Sequence, residues 1–237
     1  MNRLAGVRRF LLRAVALCGL ATASGGAMAA EQVMLKAREN FESYAPKAET
    51  PEDLLRSVVE ESHVVIKLTR FTSEQDPHST ACVLLMQAGR VDWAHCGDSR
   101  IYHFRDDKLV SCSKDHSLVG ELIRQGRLDE EGARTHPQRN LLLHCLGAQK
   151  EPLIDYGGAS ELVDGDSFMI CSDGLWAYFS DEEIGGVLSV YSAREAAEIF
   201  IKRARERGRP TGDNVSLIII KLVDVEARQK ADKERLD

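Results

Sequence analysis

Three aspartates stand where the chain reverses beside an apolar run: Asp98 in Gly97-Asp98-Ser99-Arg100, Asp173 in Cys171-Ser172-Asp173-Gly174, and Asp213 in Gly212-Asp213-Asn214. Glycine lets the backbone turn tightly, so carboxylates at such strand ends can approach one another. Two carboxylates about 4 Å apart repel by roughly 4 kcal/mol at an effective dielectric of about 20. A hard cation removes that cost, and Mg²⁺ and Mn²⁺ favour octahedral oxygen shells that retain several waters. Taken singly, each Asp-Gly or Gly-Asp pair is also an ordinary turn signal.

The elements that must position these residues are legible in the patterning. Ala30, Val33, Met34, Ala37 and Phe41 share one face of a helix that starts near Ala27. Thr50 as N-cap, Pro51 at the first helical position and Asp53 announce a second helix reaching about Leu68. Strands follow at Thr80 to Met86, Arg90 to His95 and Arg100 to Phe104, with turns at Gln87-Ala88-Gly89 and Gly97-Asp98-Ser99. Ser117 to Gln125 reads as a helix stopped by Gly126. Further strands are expected at Leu153 to Gly157, Ser167 to Ser172 and Asn214 to Leu222. Two Ser-x-x-Glu capping boxes, Ser180 with Glu183 and Ser192 with Glu195, open helices between the last two strands. Short antiparallel strands interrupted by helices predict an α+β domain in which two sheets pack face to face.

Composition narrows the function classes. The 237 residues are 43% hydrophobic and 29% charged, the balance of a folded globular chain. A formal charge of -6 argues against a broad nucleic-acid surface, which needs clustered Lys and Arg. The six cysteines form no Cys-x-x-Cys pair, and Cys82, Cys96 and Cys171 lie in or beside apolar runs, so buried reduced thiols and a cytoplasmic location are expected. The N-terminus points the other way: Met1 to Arg9 is basic, Phe10 to Ala23 mostly apolar, and Ala27-Met28-Ala29 has the form of a signal-peptidase site, the mark of an exported protein. Arg13 interrupts the apolar stretch, cleavage after Ala29 would cut into the first helix, and the segment is too short for a membrane span.

Six motifs in register resemble those of the PPM (type 2C) protein phosphatases. They are Ser79-Thr80-Ala81; Gly97-Asp98-Ser99-Arg100; Asp115-His116-Ser117; His136-Pro137 with Asn140 and Gly147; Cys171-Ser172-Asp173-Gly174-Leu175-Trp176; and Gly212-Asp213-Asn214-Val215-Ser216. The resemblance implies two central antiparallel sheets flanked by helices, with a metal cluster at one end of the sandwich. It implies that Asp173 and Asp213 are ligands of two catalytic Mn²⁺ or Mg²⁺ ions, and that Asp98 serves a third, weaker metal shared with Asp173. Arg100 and Asp115 would tie strand ends together, while His116 and His136 fit capping or packing as well as acid chemistry. The implied reaction is hydrolysis of phosphoserine and phosphothreonine in proteins, opposite a Ser/Thr kinase. A paired-metal site activates water as the nucleophile, so no catalytic side chain is required.

Two family motifs, Arg-x-x-Asn-x-Asp and Asp-Gly-x-Gly-Gly-His, do not occur in these residues. The first would supply a phosphate-binding arginine and the second the aspartate that bridges both metals. Family-like sequence starts around Ser24 and runs to residue 223, with 1–23 an atypical leader and 224–237 a charged tail. The expectation is therefore a phosphatase domain without its opening strands, and two readings stay open: an enzyme, or a catalytically impaired phosphatase relative that binds phosphoproteins or other partners.

Overall fold

The computed structural model describes residues 13–17, 25–72, 74–87, 89–209 and 214–223. Its elements, in order, are β1 (Arg13–Leu17), α1 (Gly26–Ser43), α2 (Pro51–Thr69), β2 (Ala81–Gln87), β3 (Arg90–Cys96), β4 (Arg100–Arg105), β5 (Lys108–Cys112), α3 (Leu118–Arg124), α4 (Glu130–Thr135), β6 (Asp155–Ser160), β7 (Asp166–Cys171), α5 (Asp173–Trp176), α6 (Asp181–Val190), α7 (Ala193–Arg207) and β8 (Leu217–Lys221). The strands form two four-stranded antiparallel sheets, ordered β1-β2-β3-β6 and β5-β4-β7-β8.

Alternation along the strands sorts side chains into layers. Cys82, Leu84 and Met86 of β2 meet Phe168 and Ile170 of β7 between the sheets. The intervening Ala81, Val83 and Leu85 face Val33, Leu54, Val58 and Ile66 of α1 and α2. On the other outer face, Met169 and Cys171 of β7 pack with Leu175, Ile184, Leu188 and Phe200 of the C-terminal helices. Because β2 and β7 are covered on both faces, they read as near-continuous apolar runs instead of alternating ones.

The capping signals act as expected: Thr50 with Asp53, Ser180 with Glu183 and Ser192 with Glu195 all form reciprocal capping boxes. Three features differ from the sequence reading. Residues 13–17, placed there in a leader, add an edge strand that pairs with β2 from Arg13↔Met86 to Leu17↔Cys82. β5 went unread because its hairpin turns through Asp106-Asp107; Asp106 takes the left-handed conformation (φ 53°) that usually signals glycine. The short helices α4 and α5 also lacked a periodic signal, being only 6 and 4 residues long. Among the described residues Cys82, Cys96, Cys112, Cys145 and Cys171 form no disulfide, and no helix is long and apolar enough to cross a membrane.

Candidate metal centre

Strand register brings two of the three aspartates to one end of the sandwich. β4 begins and β7 ends at the pair Arg100↔Cys171. Asp98 lies two residues before Arg100, in the turn that carries the chain from one sheet to the other, and Asp173 lies two residues after Cys171, at the start of α5. Asp213 lies outside the described residues. Asn214, the next residue, is held at this same end: Ser172 Oγ–H donates to Asn214 O at 3.3 Å, and Ser216 N–H donates to Ser172 Oγ at 3.1 Å.

The Asp98 turn is built to one shape. Gly97 has φ 111°, and a Cβ there would run into the side chain of Thr80, so the position needs glycine both for conformation and for space. Thr80 Oγ1 and Ser99 Oγ are 2.8 Å apart and buried. Trp176 of α5 reaches back across the site, its Nε1–H donating to Asp98 O at 2.9 Å. The helix that carries Asp173 is thereby fastened to the turn that carries Asp98. Arg100 makes a two-pronged bond to Asp115, at 2.9 and 2.8 Å, and lies 3.7 Å over the Trp176 ring. This is the strand-end tie that the motif resemblance implied, and it leaves the guanidinium committed to Asp115 and Tyr102.

The electrostatics single out Asp98. Burial pushes the Asp98 carboxyl up to about 7, and the nearby Asp173 and Asp115 carboxylates push the same way. Its own backbone N–H and Arg100 favour the charged form but do not compensate. Asp173 accepts the Gly174 N–H at 2.9 Å. The Asp98 and Asp173 carboxylates interact electrostatically and are both hard oxygen donors of the kind that fit a Mn²⁺ or Mg²⁺ ion. The thiols nearby are unsuited to nucleophilic work: burial raises Cys96, and Cys145 is pushed up to about 11 by burial and then by Asp98 and Asp76.

The histidines divide. His136 is a local cap, its Nδ1 accepting Gln138 N–H at 3.1 Å. His116 is 2% exposed and stacks on His95 with ring centres 4.6 Å apart. Trp176 and His95 are the site-organising residues that the sequence did not assign; Trp176 was at least visible, lying within one helical turn of Asp173.

No family model matches the chain. The serine/threonine phosphatase stp of Listeria welshimeri is 33% identical over 177 residues, which cover 73% of this chain and 69% of that protein. The chain belongs to the PPM-type serine/threonine phosphatase family. The phosphatase PstP of Mycobacterium tuberculosis is 36% identical over 152 residues, 64% of this chain, and the chain spans only 29% of that relative's length. Among solved members, the Streptococcus agalactiae serine/threonine phosphatase superposes with a TM-score of 0.77 at 25% identity, over 90% of this chain and 87% of that one. The catalytic domain of PstP, whose structure holds 2 manganese ions, superposes at 0.72 with 27% identity over 90% of this chain and 88% of its own. Within the PPM family, then, the paired sheets and their helices are the expected scaffold.

Proposed function

We propose that the chain acts in metal-dependent hydrolysis of phosphoserine and phosphothreonine in proteins, opposing a Ser/Thr kinase in a reducing compartment. The observation that carries this reading is the placement of Asp98 and Asp173 together at the Arg100↔Cys171 strand end, with the Asp98 carboxyl pushed up to about 7 by burial and then by the Asp173 and Asp115 charges. Asp98, Asp173 and Asp213 would hold Mn²⁺ or Mg²⁺, two ions serving catalysis. When bound, such ions supply Lewis acidity and an activated water.

The chain's own residues supply placement. Trp176 and Gly97 fix where Asp98 stands, Ser172 fixes the strand ends beside Asp173, and the packed sheets keep that end from spreading. Arg100 organises the site but is already bonded to Asp115, so it is not the group that grips a phosphoryl oxygen. Neither the Arg-x-x-Asn-x-Asp nor the Asp-Gly-x-Gly-Gly-His motif occurs in these 237 residues, and the rate of this chain alone should accordingly be low.

The test is hydrolysis of a phosphothreonine peptide with Mn²⁺, for this chain and for a version carrying both motifs. The motif-bearing version should be the faster, and Asp173→Asn or Asp213→Asn in it should cut turnover by on the order of 100-fold or more, at least the loss seen when a metal site's outer partners are removed. Near-normal turnover in either variant at saturating Mn²⁺ would overturn the assignment.

A further inference from the structure

We propose that His116 is a positioning residue for the Asp98 turn, acting through both polar groups of the Gly97 backbone. The His116 backbone N–H donates to Gly97 O at 2.9 Å, and Gly97 N–H donates in return to His116 Nδ1 at 3.3 Å. The residue immediately before Asp98 is thus clasped on both sides by one partner. The clasp is itself held. The His116 ring is 2% exposed, is stacked on His95, and meets His144 edge-on at 6.0 Å. His95 Nε2–H donates to Lys114 O at 2.8 Å, which anchors the backbone two residues before His116.

Accepting a backbone N–H at Nδ1 leaves the proton of neutral His116 on Nε2. That nitrogen lies 3.2 Å from Asp155 Oδ2, on β6, whose Asp155 is the strand partner of His95. Asp155 thus stands beside the ring that accepts from Gly97, close enough to interact electrostatically but not aligned as a hydrogen bond to Nε2. Ligand atoms of His95, His116 and Asp155 all lie within 4.8 Å of one another, a grouping that also suits a cation. A cation would need the lone pair that His116 Nε2 lacks in this tautomer. Two rings stacked at 29° also aim their in-plane lone pairs poorly at one common ion. The two hydrogen bonds to Gly97 therefore favour a clamp.

This inference rests on Asp98 being a metal ligand, and its test separates the two ideas. In the full chain, His116→Asn keeps an oxygen acceptor near the Nδ1 position, His116→Gln extends it toward Nε2, and His116→Leu removes it. Exchange of the Gly97 amide, followed by NMR, should quicken about tenfold in His116→Gln and His116→Leu and stay near the parent rate in His116→Asn. Mn²⁺ affinity measured by electron paramagnetic resonance should weaken about fivefold in the same two variants and recover in His116→Asn. If His116→Leu fails to fold, the Asn and Gln pair decides. Equal Gly97 exchange in those two overturns the clamp. Should Asp98→Asn bind Mn²⁺ like the parent, the ligand reading falls, and Gly97 exchange alone judges the clamp.

Discussion

Acidic groups stand at both ends of strand β7, Asp166 fully buried at its start and the half-buried Asp98 and Asp173 beyond its end, and the protein treats them oppositely. At its start, Asp166 is 0% exposed and surrounded by donors: Arg105 at 2.8 and 3.2 Å, Val163 N–H at 2.8 Å, and His103 Nε2 at 3.1 Å. Burial pushes this carboxyl up, but Arg105, Val163 and His103 together pull it below its ordinary value. Just past the other end, Asp98 and Asp173 face each other's charge, and burial leaves Asp98 raised to about 7. A carboxylate satisfied by its own protein holds a fold together. One raised by burial and by neighbouring carboxylates is poised for an external cation, at a cost in apo stability.

The contrast can be broken most severely at Asp166. Asp166→Asn removes the charge that Arg105 and His103 face, and should destabilise the fold by about 3 kcal/mol in urea denaturation, with Mn²⁺ binding unchanged in the molecules that remain folded. Because the folded carboxyl sits below 3.8, its contribution is complete above pH 3.8 and is lost as the pH falls through the lower folded value. The gap between parent and variant should therefore narrow in acid below pH 3.8; a gap that persists there would show that Asp166 acts by packing and not by charge.

Asp98→Asn is the mirror experiment. It relieves a repulsion, so the metal-free protein should be as stable as the parent or more so, while Mn²⁺ affinity falls by about tenfold. A marked fall in the melting temperature of the metal-free variant would mean that Asp98 is a structural group like Asp166. The smallest effect is expected at Trp176→Phe, which keeps an aromatic face for Arg100 but loses the bond to Asp98 O. It should cost about 1 kcal/mol and weaken Mn²⁺ binding a few-fold, and unchanged affinity would remove Trp176 from the site.

Much of this arrangement was legible in the residues, for reasons that also explain the gaps. Gly97-Asp98-Ser99 and Ser172-Asp173-Gly174 announced themselves because tight turns demand particular residue types, and Thr50, Ser180 and Ser192 because backbone N–H groups at helix starts demand acceptors. The two-layer core was readable because β2 and β7 are apolar on both faces. What stayed hidden was long-range. Trp176 bonding Asp98 O spans 78 positions, and Gly97 bonding His116 spans 19; no local periodicity encodes such pairs. The β5 hairpin was missed because aspartate stands where glycine is the usual signal.

The central claim is that the Asp98 and Asp173 end of the sandwich is a divalent-cation site. Mn²⁺ titration of the full chain, read by electron paramagnetic resonance of the free ion, tests it most directly when parent and Asp173→Asn are compared side by side. Saturable binding by the parent that is lost, or weakened at least about tenfold, in the variant is the predicted result. Equal binding by the two would contradict the account and place the metal elsewhere.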